Sequence, residues 1–113
     1  MKSVETQEAL ARVTAGTSSA VLFTANWCPF CRTFAPVFAD VMAGQTDVTT
    51  VEVNLNDEGN PLWDVYRIDV VPTVLFFAAG EVTHRLDGRR GVGLARADLR
   101  DALQRVRQET GTI

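Results

Sequence analysis

The sequence predicts an α/β domain on a central mixed sheet of four to five strands flanked by four helices, with all of residues 1–113 in one unit. Three observations predict it. Ala20–Thr24 and Thr73–Ala78 are almost wholly apolar, as strands covered on both faces usually are. Val48–Leu55 alternates, with Val51, Val53 and Leu55 on one face and Thr50, Glu52 and Asn54 on the other. Segments with apolar residues at helical spacing separate these strands, which calls for right-handed crossovers and a parallel core.

Thr6–Ala15 reads as an amphipathic helix with Ala9, Leu10 and Val13 on its apolar stripe and Gly16 as its stop. Ser18 and Ser19 form a turn before the first apolar strand. Phe34, Val37, Phe38, Val41 and Met42 then place a helix over Cys31–Ala43, stopped by Gly44 and expected to kink at Pro36. The polar turn Asn56–Asn60 leads into a short helix with Leu62, Val65 and Tyr66. Ala79-Gly80 is a tight turn between Thr73–Ala78 and an antiparallel return strand, Val82–Leu86. The last helix covers Leu94–Gln108 with Leu99, Ala102, Leu103 and Val106 inward, and the tail Glu109–Ile113 is expected to fray.

Composition narrows the function. Apolar residues make up 46% and charged residues 22%, a balance that argues against intrinsic disorder. The net charge of -3 offers no basic field for nucleic acid. The longest apolar run, Val70–Gly80, falls well short of the roughly 20 residues of a membrane span. The segment after Met1 lacks a signal-like apolar stretch and turns acidic at Glu5, so an intact start and a cytoplasmic location are expected. Two cysteines cannot form the multi-bridge framework of a small secreted domain.

Those cysteines, Cys28 and Cys31, follow an apolar strand and open a helix. Unpaired N–H groups and the positive end of the macrodipole stabilise an anion there, so a thiolate is favoured on Cys28. Cys31, one turn further in, can attack a mixed disulfide on Cys28 and release the partner. Pro29 suits the first helical turn, where no N–H is missed. Zinc would need four ligands, but the chain offers two cysteines and a single histidine, His84. A cysteine hydrolase would need a histidine base beside Cys28, whereas His84 falls on an edge strand as a solvated hairpin residue. Inert buried thiols are the third competing reading, although a helix start is a poor place to hide them.

From Thr6 to Val106 the chain resembles the thioredoxin family. The resemblance rests on Ala25-Asn26-Trp27-Cys28-Pro29-Phe30-Cys31, on Pro36 within the helix, on Val71-Pro72-Thr73, on Gly80-Glu81-Val82 and on Gly88. It implies dithiol–disulfide exchange without a cofactor or metal, with Cys28 attacking and Cys31 resolving. It also implies that Pro72 is a cis-proline facing the cysteines, that the backbone of Val71 pairs with an extended substrate segment, and that Trp27 walls an apolar groove. Pro29, Phe30 and Gly88 join these as substrate-binding candidates, whereas Trp63 reads as packing. The implied partners are disulfide-bearing proteins and a reductase such as thioredoxin reductase or glutathione, with no nucleic acid or membrane. The implied state is a monomer.

Three departures from the family pattern carry information. Pro29-Phe30 between the cysteines resembles glutaredoxins, so a glutathione-dependent oxidoreductase is the alternative, as is a binding module without redox turnover. Leu22 stands where thioredoxins usually hold a buried aspartate that moves the proton of the resolving thiol. Glu52, on the strand expected alongside, is the candidate replacement acceptor; the competing reading is a strand carboxylate that reaches solvent or pairs with an arginine. Finally, Gly88–Ala95 is longer than its thioredoxin counterpart and carries Arg89 and Arg90, which would attract acidic partners or simply be solvated.

Pro29-Phe30 stiffens the segment between the sulfurs and changes which N–H groups solvate Cys28. The expected reduction potential is therefore about -200 to -230 mV, above the about -270 mV of a typical thioredoxin. Equilibration against glutathione redox buffers measures it, and a value at or below the thioredoxin figure refutes the expectation.

Overall fold

Ala20, Val21, Leu22 and Phe23 are all fully buried, and the sheet is built outward from them. The computed structural model describes residues 1–110. In chain order the elements are β1 (Lys2–Val4), α1 (Gln7–Thr14), β2 (Ser18–Thr24), α2 (Pro29–Ala43), β3 (Thr49–Asn54), α3 (Leu62–Val65), β4 (Thr73–Ala78), β5 (Glu81–Leu86) and α4 (Arg96–Thr110). The strands form one sheet in the order β1-β3-β2-β4-β5.

The period of two along each strand sorts the core into two layers. Val21, Phe23, Val51, Val53, Leu75 and Phe77 pack with Leu10 of α1 and Leu62 of α3. Ala20, Leu22, Val74 and Phe76 pack on the other face with Phe34 and Phe38 of α2 and Leu99 and Leu103 of α4. The apolar stripes of the helices thus meet the faces that the strands present.

The sheet is mixed as expected, but the expected parallel core is corrected at β4. β3 is parallel to β1 and β2, but β4 runs antiparallel to β2, with Leu22 opposite Val74 and Phe23 opposite Thr73. A parallel β4 would require a crossover carrying the chain back along a strand of six residues, about 20 Å. α3 has only four residues and rises about 6 Å. The chain therefore stays at the end of the sheet where β3 finishes and enters β4 from there.

β1 went unpredicted because Lys2–Val4 is short and mostly exposed, with its place set by pairing to Val51–Val53. α2 begins at Pro29 rather than Cys31 and continues through Pro36. The Ala79-Gly80 turn is as expected, with positive φ at both residues. α4 starts after Ala95, whose N–H donates to Asp98 Oδ2 at 2.8 Å. Its last turn corrects the expected fraying at Glu109 and Thr110; residues 111–113 of that tail lie outside the described residues. His84 is corrected too, since Nε2 pairs with Glu109 Oε2 at 2.5 Å and Nδ1 meets Thr83 Oγ1, leaving it one-fifth exposed rather than solvated. No helix among the described residues is long and apolar enough to cross a membrane.

Leu99 is the fully buried anchor of α4. Leu99→Ala should cost about 2–5 kcal/mol by urea denaturation, the usual range for a buried leucine. A loss under about 1 kcal/mol would show that α4 is not held by this contact.

Candidate active site

β2 ends at Thr24, and the chain turns through Ala25–Trp27 into α2. Cys28 is the N-cap residue, with extended φ -98 and ψ 118, and Pro29 occupies the first turn. The Cys28 carbonyl already accepts from the N–H groups of Cys31 (3.1 Å) and Arg32 (3.2 Å). Its side chain makes no capping bond; instead Sγ donates to the Val71 carbonyl at 3.5 Å. Both cysteines are free thiols.

Cys31 is 1% exposed, and burial pushes its thiol up to about 11. Hydrogen bonds from the Thr24 side chain and the Ala25 backbone oppose that push, whereas the hydrogen bond and charge of Cys28 add to it. Buried Thr24 is the site residue that the sequence reading passed over. Its signal was available: it is the polar residue closing an apolar strand. A disulfide-bonded Cys28 carries no charge, so that part of the push on Cys31 disappears once a mixed disulfide forms.

Beneath the cysteines, the Val71-Pro72 peptide is cis. Thr73 Oγ1 donates to the Val70 carbonyl at 2.7 Å and accepts from the Gly88 N–H at 3.3 Å. A Cβ on Gly88 would lie 2.2 Å from the Pro72 carbonyl oxygen, so only glycine permits this approach. The Arg85 guanidinium binds the Tyr66 and Arg67 carbonyls and Asp87, tying β5 to the segment that leads into the proline.

Trp27 is 51% exposed, stacks on Trp63 with centroids 6.3 Å apart, and donates from Nε1 to the Asn56 carbonyl. Trp63 also packs against the core, so it supports the Trp27 wall. Exposed Phe30 backs onto Gly93, where an added Cβ would sit 2.8 Å from Phe30 Cβ. Trp27, Cys28, Pro29, Phe30, Val71, Pro72 and Gly88 are therefore gathered at one end of the sheet. The structure does not bring Glu52 to them. It shares a register with Leu22 and Ser3, and its Oε2 accepts from Ser3 Oγ at 3.2 Å, toward the β1 edge of the sheet.

Because folding raises the Cys31 thiol, its contribution to stability is complete below the ordinary thiol range and is lost as pH climbs toward about 11. The reduced protein should lose stability over that window, and Cys31→Ser should flatten the loss. Thiol mapping with iodoacetamide at neutral pH should label Cys28 before Cys31; labelling of Cys31 first would reverse their roles.

The thioredoxin family model matches residues 2–103. Thioredoxin H3 of Arabidopsis thaliana is 39% identical over 66 residues, 58% of this chain and 55% of that protein, so the chain spans about half the length of this relative. The thioredoxin of Mycolicibacterium smegmatis is 32% identical over 92 residues, 78% of this chain and 82% of its own. The crystal structure of Malassezia sympodialis thioredoxin superimposes with a TM-score of 0.76 at 25% identity, covering 93% of this chain and 89% of that one. With the paired thiols at the head of α2 and the family match running from β1 into α4, this chain belongs to the thioredoxin family.

Proposed function

We propose that the protein is a thiol–disulfide oxidoreductase that reduces disulfides in protein substrates. The observation that carries this reading is the asymmetry of the two thiols. Cys28 is the N-cap residue of α2, 8% exposed with its sulfur on the Val71 carbonyl, while Cys31 lies one turn behind it, 1% exposed and with its thiol pushed up to about 11 by burial.

The Cys28 thiolate attacks one sulfur of the substrate disulfide, and the other substrate sulfur leaves as a thiolate that takes a proton from water. Cys31 then loses its proton and attacks Cys28 Sγ. The Cys28–Cys31 disulfide forms, the second substrate sulfur leaves, and two electrons have moved from protein to substrate. Family membership supports a reductase partner, of the thioredoxin-reductase or glutathione-dependent kind, to return those electrons. A monomer acting in the cytoplasm is part of the proposal.

The test is catalysis of insulin reduction by dithiothreitol, which Cys28→Ser should abolish. Cys31→Ser should retain the first attack and trap a stable mixed disulfide. Faster turnover with glutathione and its reductase than with thioredoxin reductase would favour the glutathione-dependent alternative. No catalysis with any reductant would leave a binding module.

The Cys31 proton separates two further variants. Loss of the Thr24 hydrogen bond in Thr24→Val should slow resolution and let mixed disulfide accumulate, by about fivefold for a bond worth about 1 kcal/mol. Glu52→Gln serves as the comparison for the acceptor role expected of Glu52: slowing by about 10-fold supports it, and resolution at the parent rate assigns the proton to water.

A further inference from the structure

The turn Arg89–Gly93 stands beside the cysteines but takes no part in the exchange steps. Both of its ends are fixed to the site. Preceding it, Gly88 lies against the Pro72 carbonyl; at its far end, Gly93 lies against Phe30. The turn is closed internally by Arg89 N–H to the Gly93 carbonyl (3.2 Å) and by Gly93 and Val92 N–H to the Arg89 carbonyl (2.7 and 3.0 Å). The Arg89 guanidinium forks onto both carboxylate oxygens of Asp98 at 3.2 and 3.0 Å, which holds that carboxyl below its usual range.

This arrangement uses up the charge of one arginine and leaves the other. Arg89 is neutralised by Asp98, whereas exposed Arg90 has no ion pair or hydrogen bond among the described residues. Beside it Val92 is 60% exposed. The tip thus presents a cation and an apolar side chain next to Phe30.

We propose that the Arg89–Gly93 turn is a specificity wall that selects disulfide-bearing peptide segments with an acidic residue close to the reacting cysteine. The inference rests on the exchange activity proposed above and names its substrate class. The segment lies between Trp27 and the turn, an apolar side chain covers Phe30 and Val92, and the carboxylate meets Arg90. Asp69, shortly before the cis-proline, carries the opposite charge, so the acidic residue belongs on the Arg90 side. A charge pair at contact in a solvent-like dielectric is worth about 1 kcal/mol, or about fivefold.

The test uses two disulfide-linked peptides that differ only in glutamate or glutamine beside the cysteine, with dithiothreitol recycling the enzyme. The parent protein should favour the glutamate peptide by about fivefold in kcat/KM at low ionic strength, with the ratio falling as salt rises. Arg90→Glu should bring the ratio to one or below and Arg90→Lys should keep it. Arg100→Glu, which changes net charge equally from α4 beside Val41 and Gln45, should leave the ratio as in the parent. A parent ratio of one, or an unchanged ratio in Arg90→Glu, overturns the proposal. If neither peptide nor 2-hydroxyethyl disulfide is reduced, the exchange reading itself falls. Binding of the two peptides to the Cys28→Ser, Cys31→Ser double variant, read from tryptophan fluorescence, then judges the wall by itself: preference for glutamate sustains it and equal binding overturns it.

Discussion

β2 is hydrogen-bonded along both edges, parallel to β3 on one side and antiparallel to β4 on the other. That double pairing locks its register. Phe23 lies opposite both Val53 and Thr73, and the strand can neither slip nor extend without turning its buried residues to the wrong layer. Where β2 stops therefore decides where Cys28 emerges. Because β4 enters the sheet from the same end, Val71 is delivered to the point at which α2 begins, and its carbonyl receives the Cys28 sulfur. The site is a consequence of two strand ends meeting.

Two thiols of one residue type meet different surroundings within a single helical turn. Cys28 lies at the end of α2 with its sulfur on the Val71 carbonyl. Cys31 lies inside, where loss of water disfavours an anion and Thr24 returns only part of the lost solvation. The thiols are also linked through charge, since an ionised Cys28 discourages ionisation of Cys31. In the proposed exchange, consumption of Cys28 in a mixed disulfide would remove that discouragement and so order the two steps without any moving part.

The remaining boundary of the site is built from backbone rather than side chains. Gly88 against Pro72 and Gly93 against Phe30 are approaches at which any Cβ would collide. Arg85 adds charge-assisted bonds to the Tyr66 and Arg67 carbonyls from across the sheet. These contacts fix the rim in place, and the discrimination proposed for Val92 and Arg90 rests on such preorganisation.

Local chemistry was legible from the chain alone. The alternation over Thr49–Asn54, the spacing of Phe34, Phe38 and Met42, and the placement of Cys-Pro-Phe-Cys after an apolar strand determined the elements, their buried faces and the position of the cysteine pair at the head of α2. All of these depend on neighbours a few residues apart. The antiparallel entry of β4, the three-residue β1, the Ser3 bond to Glu52 and the pairing of His84 with Glu109 depend on partners distant in sequence, and no periodicity records them. The same holds for the turn after Gly88: the sequence supplied two arginines, and only the fold, by giving Asp98 to Arg89, decided that Arg90 is the one without an ion pair among the described residues.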